Sequence, residues 1–364
     1  MCLYPRIIRN PKYKLNKKNK GIIPEVNDKR TEYVPIGCGK CIECMKQKSR
    51  QWKIRLTEEI RENNTGKFVT LTFSNDSLEK LKMTVSNDQS TVSNDQNEIA
   101  VYAVRHFLER WRKEYKTSIK HWLITELGHK GTERIHLHGL LFTPTIIKDD
   151  KPYNTVKDIE RIWQYGWVYI GKYVNEKTIN YISKYITKLD PIHKEYTGKI
   201  LCSPGIGNNY INRPDSKNNH YQEKNTNELY ITRSGNKIAL PTYYRNKIYS
   251  ETEREKLWIE KLDKQERYVL GQKTSIKDNE EQYFKLLAEA RAKNQRLGYG
   301  SIKWSKKEYI QKLDQIKHVE KIPQVEKIKK QPVEKNIQQK IGFHVEQPEI
   351  QQIPSWITDG KAFE

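Results

Sequence analysis

The segment Arg134-Ile-His136-Leu-His138-Gly-Leu-Leu-Phe142 carries the densest chemistry of the chain. Two histidines separated by one residue on a β-strand point to the same face, because strand side chains alternate. Leu137 and Leu141 then point to the other face, into a core. Two imidazoles side by side on a sheet are a ready pair of metal ligands. Alone they leave a site short of ligands and of negative charge. The preceding stretch Trp122-Leu-Ile-Thr-Glu126 offers a carboxylate that a hairpin would bring alongside, so Glu126 is the expected third ligand. Glu133, expected in the hairpin loop, ranks behind it. A His/His/Glu set with open positions suits a divalent ion that must also hold a phosphate oxygen. By itself a His-x-His pair is also common among ordinary surface residues.

Residues 181–188 read Tyr-Ile-Ser-Lys-Tyr-Ile-Thr-Lys. On a helix the four-residue step places Tyr181 and Tyr185 on nearly one face, roughly 6 Å apart at Cβ. Lys184 and Lys188 each follow a tyrosine by three residues, on the flank of that face, while Ile182 and Ile186 form a stripe that can pack on a sheet. Phosphodiester cleavage by transesterification needs a nucleophile that can later leave. A phenol, with an unperturbed pKa of about 10, leaves far more readily than an aliphatic alcohol. It is mostly protonated at neutral pH, so a metal that polarises the phosphate and a lysine that stabilises developing charge would both help it. Two such tyrosines permit two successive strand transfers at one site without a nucleotide cofactor. The blander alternative is a Tyr/Ile face in a core with solvated lysines. The in-register lysines, with a His-x-His strand about 45 residues upstream, favour chemistry.

Cys38, Cys41 and Cys44 form a third constellation, C-x-x-C-x-x-C. Thiolates at this spacing can share a zinc ion, and a closed structural site needs a fourth ligand. Cys2 is the first choice and Cys202 the second. Zinc there would pin the N-terminal arm to the domain. An iron–sulfur cluster fits less well, because position 48, where a further Cys-Pro should begin, is Lys. Three free thiols are the alternative. An odd total of five cysteines suits a reduced, cytosolic compartment.

The elements that must hold these residues follow from periodicity. Residues 1–35 are basic and broken by Pro5, Pro11, Pro24 and Pro35, so they read as an extended arm. Helices are expected over Glu43–Arg61, Ile99–Tyr115, Asp158–Gln164, Glu176–Leu189, Arg254–Leu270 and Asp278–Leu297. Strands are expected over Phe68–Phe73, His121–Leu127, Ile135–Phe142 and Val168–Tyr173, with a hairpin of Leu229–Ile231 and Lys237–Leu240. The loop Gly128 to Thr132 would join the two metal strands, and residues 198–222 look like loop. The six residues TVSNDQ at Thr84–Gln89 recur at Thr91–Gln96, which fits a tolerated loop insertion at about 84–97. From about Lys312 the chain turns to Lys, Gln, Glu and Pro, the composition of a disordered tail. The resulting division is 1–66 for arm, cysteine cluster and first helix, 67–250 for the domain bearing the chemistry, 251–311 for a helical extension and 312–364 for the tail.

Lys+Arg outnumber Asp+Glu by 67 to 45, a formal net charge of +22 that suits a polyanionic partner. A lysine-rich genome would also inflate that figure. No apolar run approaches the roughly 20 residues that span a bilayer, and the N-terminus lacks the pattern of a signal peptide. No G-x-x-x-x-G-K-[ST] occurs; Gly271-Gln-Lys-Thr274 resembles only its end. The chain therefore carries no recognisable P-loop motor.

The His136-x-His138 strand followed by Tyr181-x-x-Lys184-Tyr185-x-x-Lys188 resembles the HUH endonuclease superfamily, in its two-tyrosine branch of rolling-circle replication initiators. The likeness is to the initiators of small single-stranded DNA phages of the microvirus/gokushovirus type (Microviridae). Phe68-Val-Thr-Leu-Thr-Phe73 resembles that family's first motif, and Met1-Cys-Leu-Tyr-Pro5, Cys38–Cys44 and Leu240-Pro-Thr-Tyr-Tyr-Arg245 are also similar. The likeness runs from residue 1 to about 250. It implies an α+β fold, a central antiparallel sheet with packed helices related to RNA-recognition folds. It implies Mg²⁺ or Mn²⁺ on His136, His138 and Glu126, nucleophiles at Tyr181 and Tyr185, and assistance from Lys184 and Lys188. The partners it implies are a single-stranded DNA origin and, in the bacterial host cytoplasm, a host helicase and DNA polymerase. Three rivals remain: a non-catalytic DNA-binding protein, a relaxase or transposase with the same chemistry, and a zinc-module RNA-binding protein.

Overall fold

The computed structural model describes residues 2–312, except 18, 87–94, 129–132, 149–150, 191, 194–195, 301–303 and 306. In chain order its regular elements are β1 (Arg6–Arg9), β2 (Tyr33–Ile36), α1 (Ile42–Glu62), β3 (Gly66–Leu71), α2 (Asn75–Val85), α3 (Gln96–Tyr115), β4 (Lys120–Leu127) and β5 (Ile135–Phe142). They continue with β6 (Ile146–Lys148), β7 (Lys151–Tyr153), α4 (Asp158–Trp163), β8 (Val168–Ile170), α5 (Glu176–Lys184) and β9 (Ile200–Cys202). The last are β10 (Leu229–Ile231), β11 (Lys237–Ala239), α6 (Thr242–Ile248), α7 (Glu251–Lys264), β12 (Glu266–Val269), β13 (Gln272–Ser275) and α8 (Glu280–Arg296).

A five-stranded sheet in the order β8-β3-β5-β4-β9 lies at the centre, and every neighbouring pair is antiparallel. Alternation sorts its side chains. Val69, Leu71, Leu123, Leu137 and Leu141 face one way and pack with Phe107 and Trp111 of α3 and Trp163 of α4. Trp122, Ile124, Leu140 and Phe142 face the other way, against Leu56 of α1 and Ile179 and Ile182 of α5. The central strands are thus buried on both sides at one end, which is why β4 reads as an almost unbroken apolar run. The strands meet closely at Gly139: a Cβ there would lie 2.0 Å from the Trp122 carbonyl oxygen, so only glycine fits beside His138. The architecture is the expected α+β arrangement of antiparallel sheet and packed helices.

The N-terminal segment is extended, as its prolines require, but it is fastened down. β1 pairs with β2, and Leu3, Tyr4 and Tyr13 are buried. Leu3 and Tyr4 join Ile42, Val269, Leu287 and Ala290 in a small separate core beneath α8. A fourth core, built on Tyr210, Tyr230, Tyr244 and Tyr249, holds residues 206–257 against Ile54 of α1.

Several boundaries differ from expectation. The helix expected over Glu176–Leu189 ends at Lys184, and Tyr185–Thr187 form a tighter turn whose amides bond three residues back. The Ser183 and Thr187 hydroxyls donate to the Asn180 and Lys184 carbonyls, local bonds that compete with the α-helical ladder. The expected loop 198–222 contains β9, too short to show an alternation. The helix expected over Arg254–Leu270 stops at Lys264. Gln265 turns left-handed (φ 48°), and a hairpin follows through Leu270 and Gly271 (φ 49° and 89°). Gly271–Thr274 accordingly lies in a β-hairpin and not before a helix. β8 stops at Ile170, before Gly171, rather than at Tyr173. The helix α2 and the hairpin β6–β7 were not anticipated. The middle of the duplicated TVSNDQ segment (87–94), most of the hairpin loop (129–132), the proline at 191 and the tail from 313 lie outside the described residues.

Candidate functional site

The antiparallel register of β4 and β5 sets Glu126 directly opposite His136, and Ile124 opposite His138. On the other side of β5, Thr70 of β3 lies opposite His138. Glu126, His136, His138 and Thr70 therefore share one face, beyond the end that α1 and α5 cover. One Glu126 carboxylate oxygen takes both imidazoles, 3.2 Å from His136 Nε2 and 3.0 Å from His138 Nε2. The second ring nitrogens are also engaged. His138 Nδ1 lies 3.0 Å from Thr70 Oγ1, and His136 Nδ1 lies 3.3 Å from the Arg134 carbonyl. Such outer partners fix the ring orientation of a metal-ligating histidine. Glu133 does not join this group; it adopts a left-handed conformation and pairs with His193 at 3.2 Å.

α5 begins with a capping box of Asn175 and Thr178 and lays Ile179 and Ile182 on the sheet. That orientation turns the tyrosines towards the histidines. The Tyr185 ring stacks on His138, centroids 4.5 Å apart at 16°. The Tyr181 and Tyr185 hydroxyls hydrogen-bond at 2.6 Å, and Tyr181 remains half exposed. The tight turn after Lys184 matters here. In a three-residue turn, positions i and i+3 eclipse, so Lys188 comes over the Tyr185 ring at 5.8 Å and its ammonium donates to Glu126. Lys184 still belongs to the α-helix; it is exposed, and no described hydrogen bond or ion pair joins its ammonium to Glu126, the histidines or the tyrosines. The two lysines, equivalent by spacing, are thus separated by the end of the helix.

The electrostatics are coherent. Burial works to raise the Glu126 pKa, but hydrogen bonds from His136, His138 and Lys188 outweigh it and hold the carboxyl far below its usual range. Burial, then the hydrogen bond to Tyr181 and the negative charge of Glu126, push Tyr185 well up, so its phenol is neutral in these surroundings. The ligand atoms of Glu126, His136 and His138 lie within 4.8 Å of one another, a donor set that fits a divalent ion. Three protein ligands fall short of the roughly six that Mg²⁺ takes, which leaves positions for oxygens of a substrate.

Cys2, Cys38, Cys41 and Cys44 also converge, their sulfurs within 4.8 Å of one another. Zinc bound by four thiolates at about 2.3 Å in a tetrahedron separates the sulfurs by about 3.8 Å; Cys2 and Cys41 sulfurs are 3.9 Å apart. Backbone amides of Leu3, Tyr4, Cys38 and Cys41 point at the sulfurs at 3.2–3.5 Å, as anionic thiolates require. The residues fit such an ion. Cys202, the second choice, lies instead on β9 opposite Trp122.

Sequence reasoning missed Thr70 and Phe68, although it identified their strand. Phe68 lies parallel to His138 (6.3 Å, 10°) and meets Tyr181 edge-on at 6.0 Å. The usable signal was register: Thr70 shares the strand parity of His138. Nothing in the sequence marked Ser49, whose hydroxyl donates to the Ser183 carbonyl, or Tyr299, whose hydroxyl donates to the Thr187 carbonyl at 2.7 Å.

Comparison with known proteins locates this geometry. Residues 66–190, which include Glu126, both histidines and both tyrosines, match the model of a family described as replication-associated protein of the ORF2 type. The chain is similar to the replication-associated protein ORF2 of Spiroplasma virus 4, 28% identical over 234 residues that cover 59% of this chain and 68% of that protein. It is also similar to the replication-associated protein ORF4 of Chlamydia phage 1, 24% identical over 170 residues covering 42% of this chain and 38% of that protein. The aligned part is thus well under half of the second relative. No solved structure matches the chain.

Proposed function

We propose that this protein initiates phage DNA replication by the rolling-circle route, as a nicking endonuclease and strand transferase of the HUH type acting on a single-stranded origin. The observation that carries the proposal is the tyrosine pair bonded hydroxyl to hydroxyl at 2.6 Å, with the Tyr185 ring 4.5 Å from the His138 ring of the Glu126 group. The likeness of residues 66–190 to replication-associated proteins supports the biological setting.

In this reading a divalent ion, Mg²⁺ or Mn²⁺, held by Glu126, His136 and His138 supplies polarisation of the scissile phosphate. A tyrosine oxygen attacks phosphorus, the P–O3′ bond breaks, and the phenolic proton ends on the departing 3′ oxygen. The product is a 5′-phosphotyrosyl bond and a free 3′-hydroxyl. The half-exposed Tyr181 is the phenol better placed to meet a strand first, and Tyr185, held by His138 and Lys188, serves the second transfer. Lys188 orients Glu126 and offers positive charge beside the phenols. Lys184, exposed at the helix end, is assigned to the phosphate backbone of the strand. The cysteine cluster holds a structural Zn²⁺. Unwinding and extension fall to a host helicase and polymerase, in the bacterial cytoplasm; among the described residues no helix is long and apolar enough to cross a membrane.

The test uses single-stranded fragments of the cognate genome with Mg²⁺ or Mn²⁺. A band that survives denaturation and carries both protein and labelled DNA is expected. It should disappear when Tyr181→Phe and Tyr185→Phe are combined, while either single variant still cleaves. Persistence of the adduct in the double variant would place the nucleophile elsewhere.

A further inference from the structure

The helices that cover the site-bearing face of the sheet do not reach its edge strand. There the chain reads Trp167-Val-Tyr169-Ile-Gly-Lys172-Tyr173. Val168 points into the core, 6% exposed, whereas Trp167 is 60%, Tyr169 47% and Tyr173 72% exposed. Tyr169 lies opposite Thr70, so it shares the face of His138, and Trp167 follows the same parity. The rings form a series that ends at the tyrosine pair. Trp167 is 6.1 Å from Tyr169, Tyr169 is 6.1 Å from Phe68, Phe68 is 6.0 Å from Tyr181, and Tyr181 is 5.4 Å from Tyr185. Stability does not call for large rings left in water on a sheet edge, and one such ring would need no explanation. A run of them at ring-to-ring spacing, joined to the proposed nucleophile, is a platform.

The local charge specifies what it carries. Residues 165–188 hold four lysines and one acid, Glu176, which is tied to Arg233 at 3.2 Å. Lys172 sits exposed between the rings of Tyr169 and Tyr173 in sequence, and Lys67 donates to its carbonyl at 3.0 Å. Exposed aromatics interleaved with cations match unpaired bases on a phosphate backbone; a duplex hides its base faces, and an apolar protein partner would not need the lysines.

We infer that Trp167, Tyr169 and Tyr173 form a stacking rail for the single-stranded DNA that flanks the cut, leading the strand along the sheet edge to Tyr181. This deepens the nicking reading and rests on it for the direction of delivery, but the binding itself does not require cleavage. The test is therefore fluorescence anisotropy of the full chain with a labelled oligothymidylate, which carries no origin and leaves the nucleophiles idle. Trp167→Ala and Tyr169→Ala should each weaken binding on the order of tenfold, since each removes one base-stacking surface. Trp167→Phe should restore most of the loss, and Lys172→Ala should lower the salt dependence without abolishing binding. Unchanged affinity in both alanine variants would overturn the rail, as would an equal loss for a duplex of the same length. If the rail variants lose affinity while no adduct ever forms on cognate DNA, the rail stands and the nicking reading falls.

Discussion

The two clusters of metal-ligating side chains are built on opposite plans. At the N-terminus of α1, four cysteines close on one another, backed by Leu3, Tyr4 and Ile42 and roofed by α8. At the end of the sheet, one glutamate and two histidines face outward, with an exposed lysine and a half-exposed tyrosine on the solvent side. A tetrahedral set of four thiolates is coordinatively complete and has room only for a structural role. Three mixed ligands leave positions that only a substrate or water can fill. The contrast teaches that burial and ligand count, more than ligand identity, assign a cluster to structure or to chemistry. The two are also mechanically joined. Asn294 of α8 accepts from the Ile42 amide at the start of α1, Ser49 of α1 holds the Ser183 carbonyl, and Tyr299 beyond α8 holds the Thr187 carbonyl. The closed cluster thus anchors both elements that grip the tyrosine turn.

Breaking each cluster should give different phenotypes. Cys41→Ser should have the largest effect, because a structural zinc contributes on the order of 10 kcal/mol to its fold. Stoichiometric zinc by elemental analysis of the parent, its loss in the variant, and rapid proteolysis of residues 1–60 and α8 are expected. A parent free of zinc would leave four thiols with no shared role.

His136→Ala or His138→Ala should leave the melting temperature within a few degrees of the parent and cut adduct formation by about a thousandfold or more, the scale expected when the polarising ion loses a ligand. Single-stranded DNA affinity should change little, because phosphate contacts supply most of it. A variant that cleaves normally would separate the histidines from the chemistry.

A pH titration sharpens the comparison through a histidine in neither cluster. Burial, aided by the charge of Arg112 and opposed by the Ile119 carbonyl, pushes His121 down to about 4. The unfolded chain therefore binds a proton that the folded chain resists, and stability falls as pH drops from about 6.5 towards 4, by about 3 kcal/mol. Thermal melts across that window should show the fall, and His121→Gln should flatten it. An identical slope in the variant would assign the acid sensitivity to other groups.

Tyr299→Phe should have the smallest effect. It removes one hydrogen bond to the tyrosine turn, worth about 1 kcal/mol. Adduct formation should slow by a few fold with zinc content intact. A rate equal to the parent would show that the link between the two regions does not position the nucleophiles.

Much of this was legible in the sequence where one local rule applied. Strand alternation placed His136 and His138 on one face and Leu137 and Leu141 on the other, and hairpin proximity brought in Glu126. The thiol motif gave three of four cysteines, and Cys2, far away in sequence, was reached only by asking for a fourth ligand. What escaped depended on competition between rules. The helical period ran on through Tyr185 to Leu189, but hydroxyls at Ser183 and Thr187 and the hold of Ser49 ended the helix early, so Lys188 and not Lys184 reached Glu126. The strand β9 and the partners Thr70, Asn294 and Tyr299 rest on long-range pairing, for which a single sequence holds no periodic signal.

The central claim concerns which atom takes the DNA, and peptide mapping of the denatured adduct tests it most directly. Trypsin cuts after Lys177, Lys184 and Lys188, so Tyr181 and Tyr185 fall on separate peptides, 178–184 and 185–188. Nuclease-trimmed adduct formed on cognate single-stranded DNA should carry its nucleotide on one of these two, with fragment ions assigning it to the tyrosine. A nucleotide on any other peptide, or on a serine or lysine within these, would contradict the account.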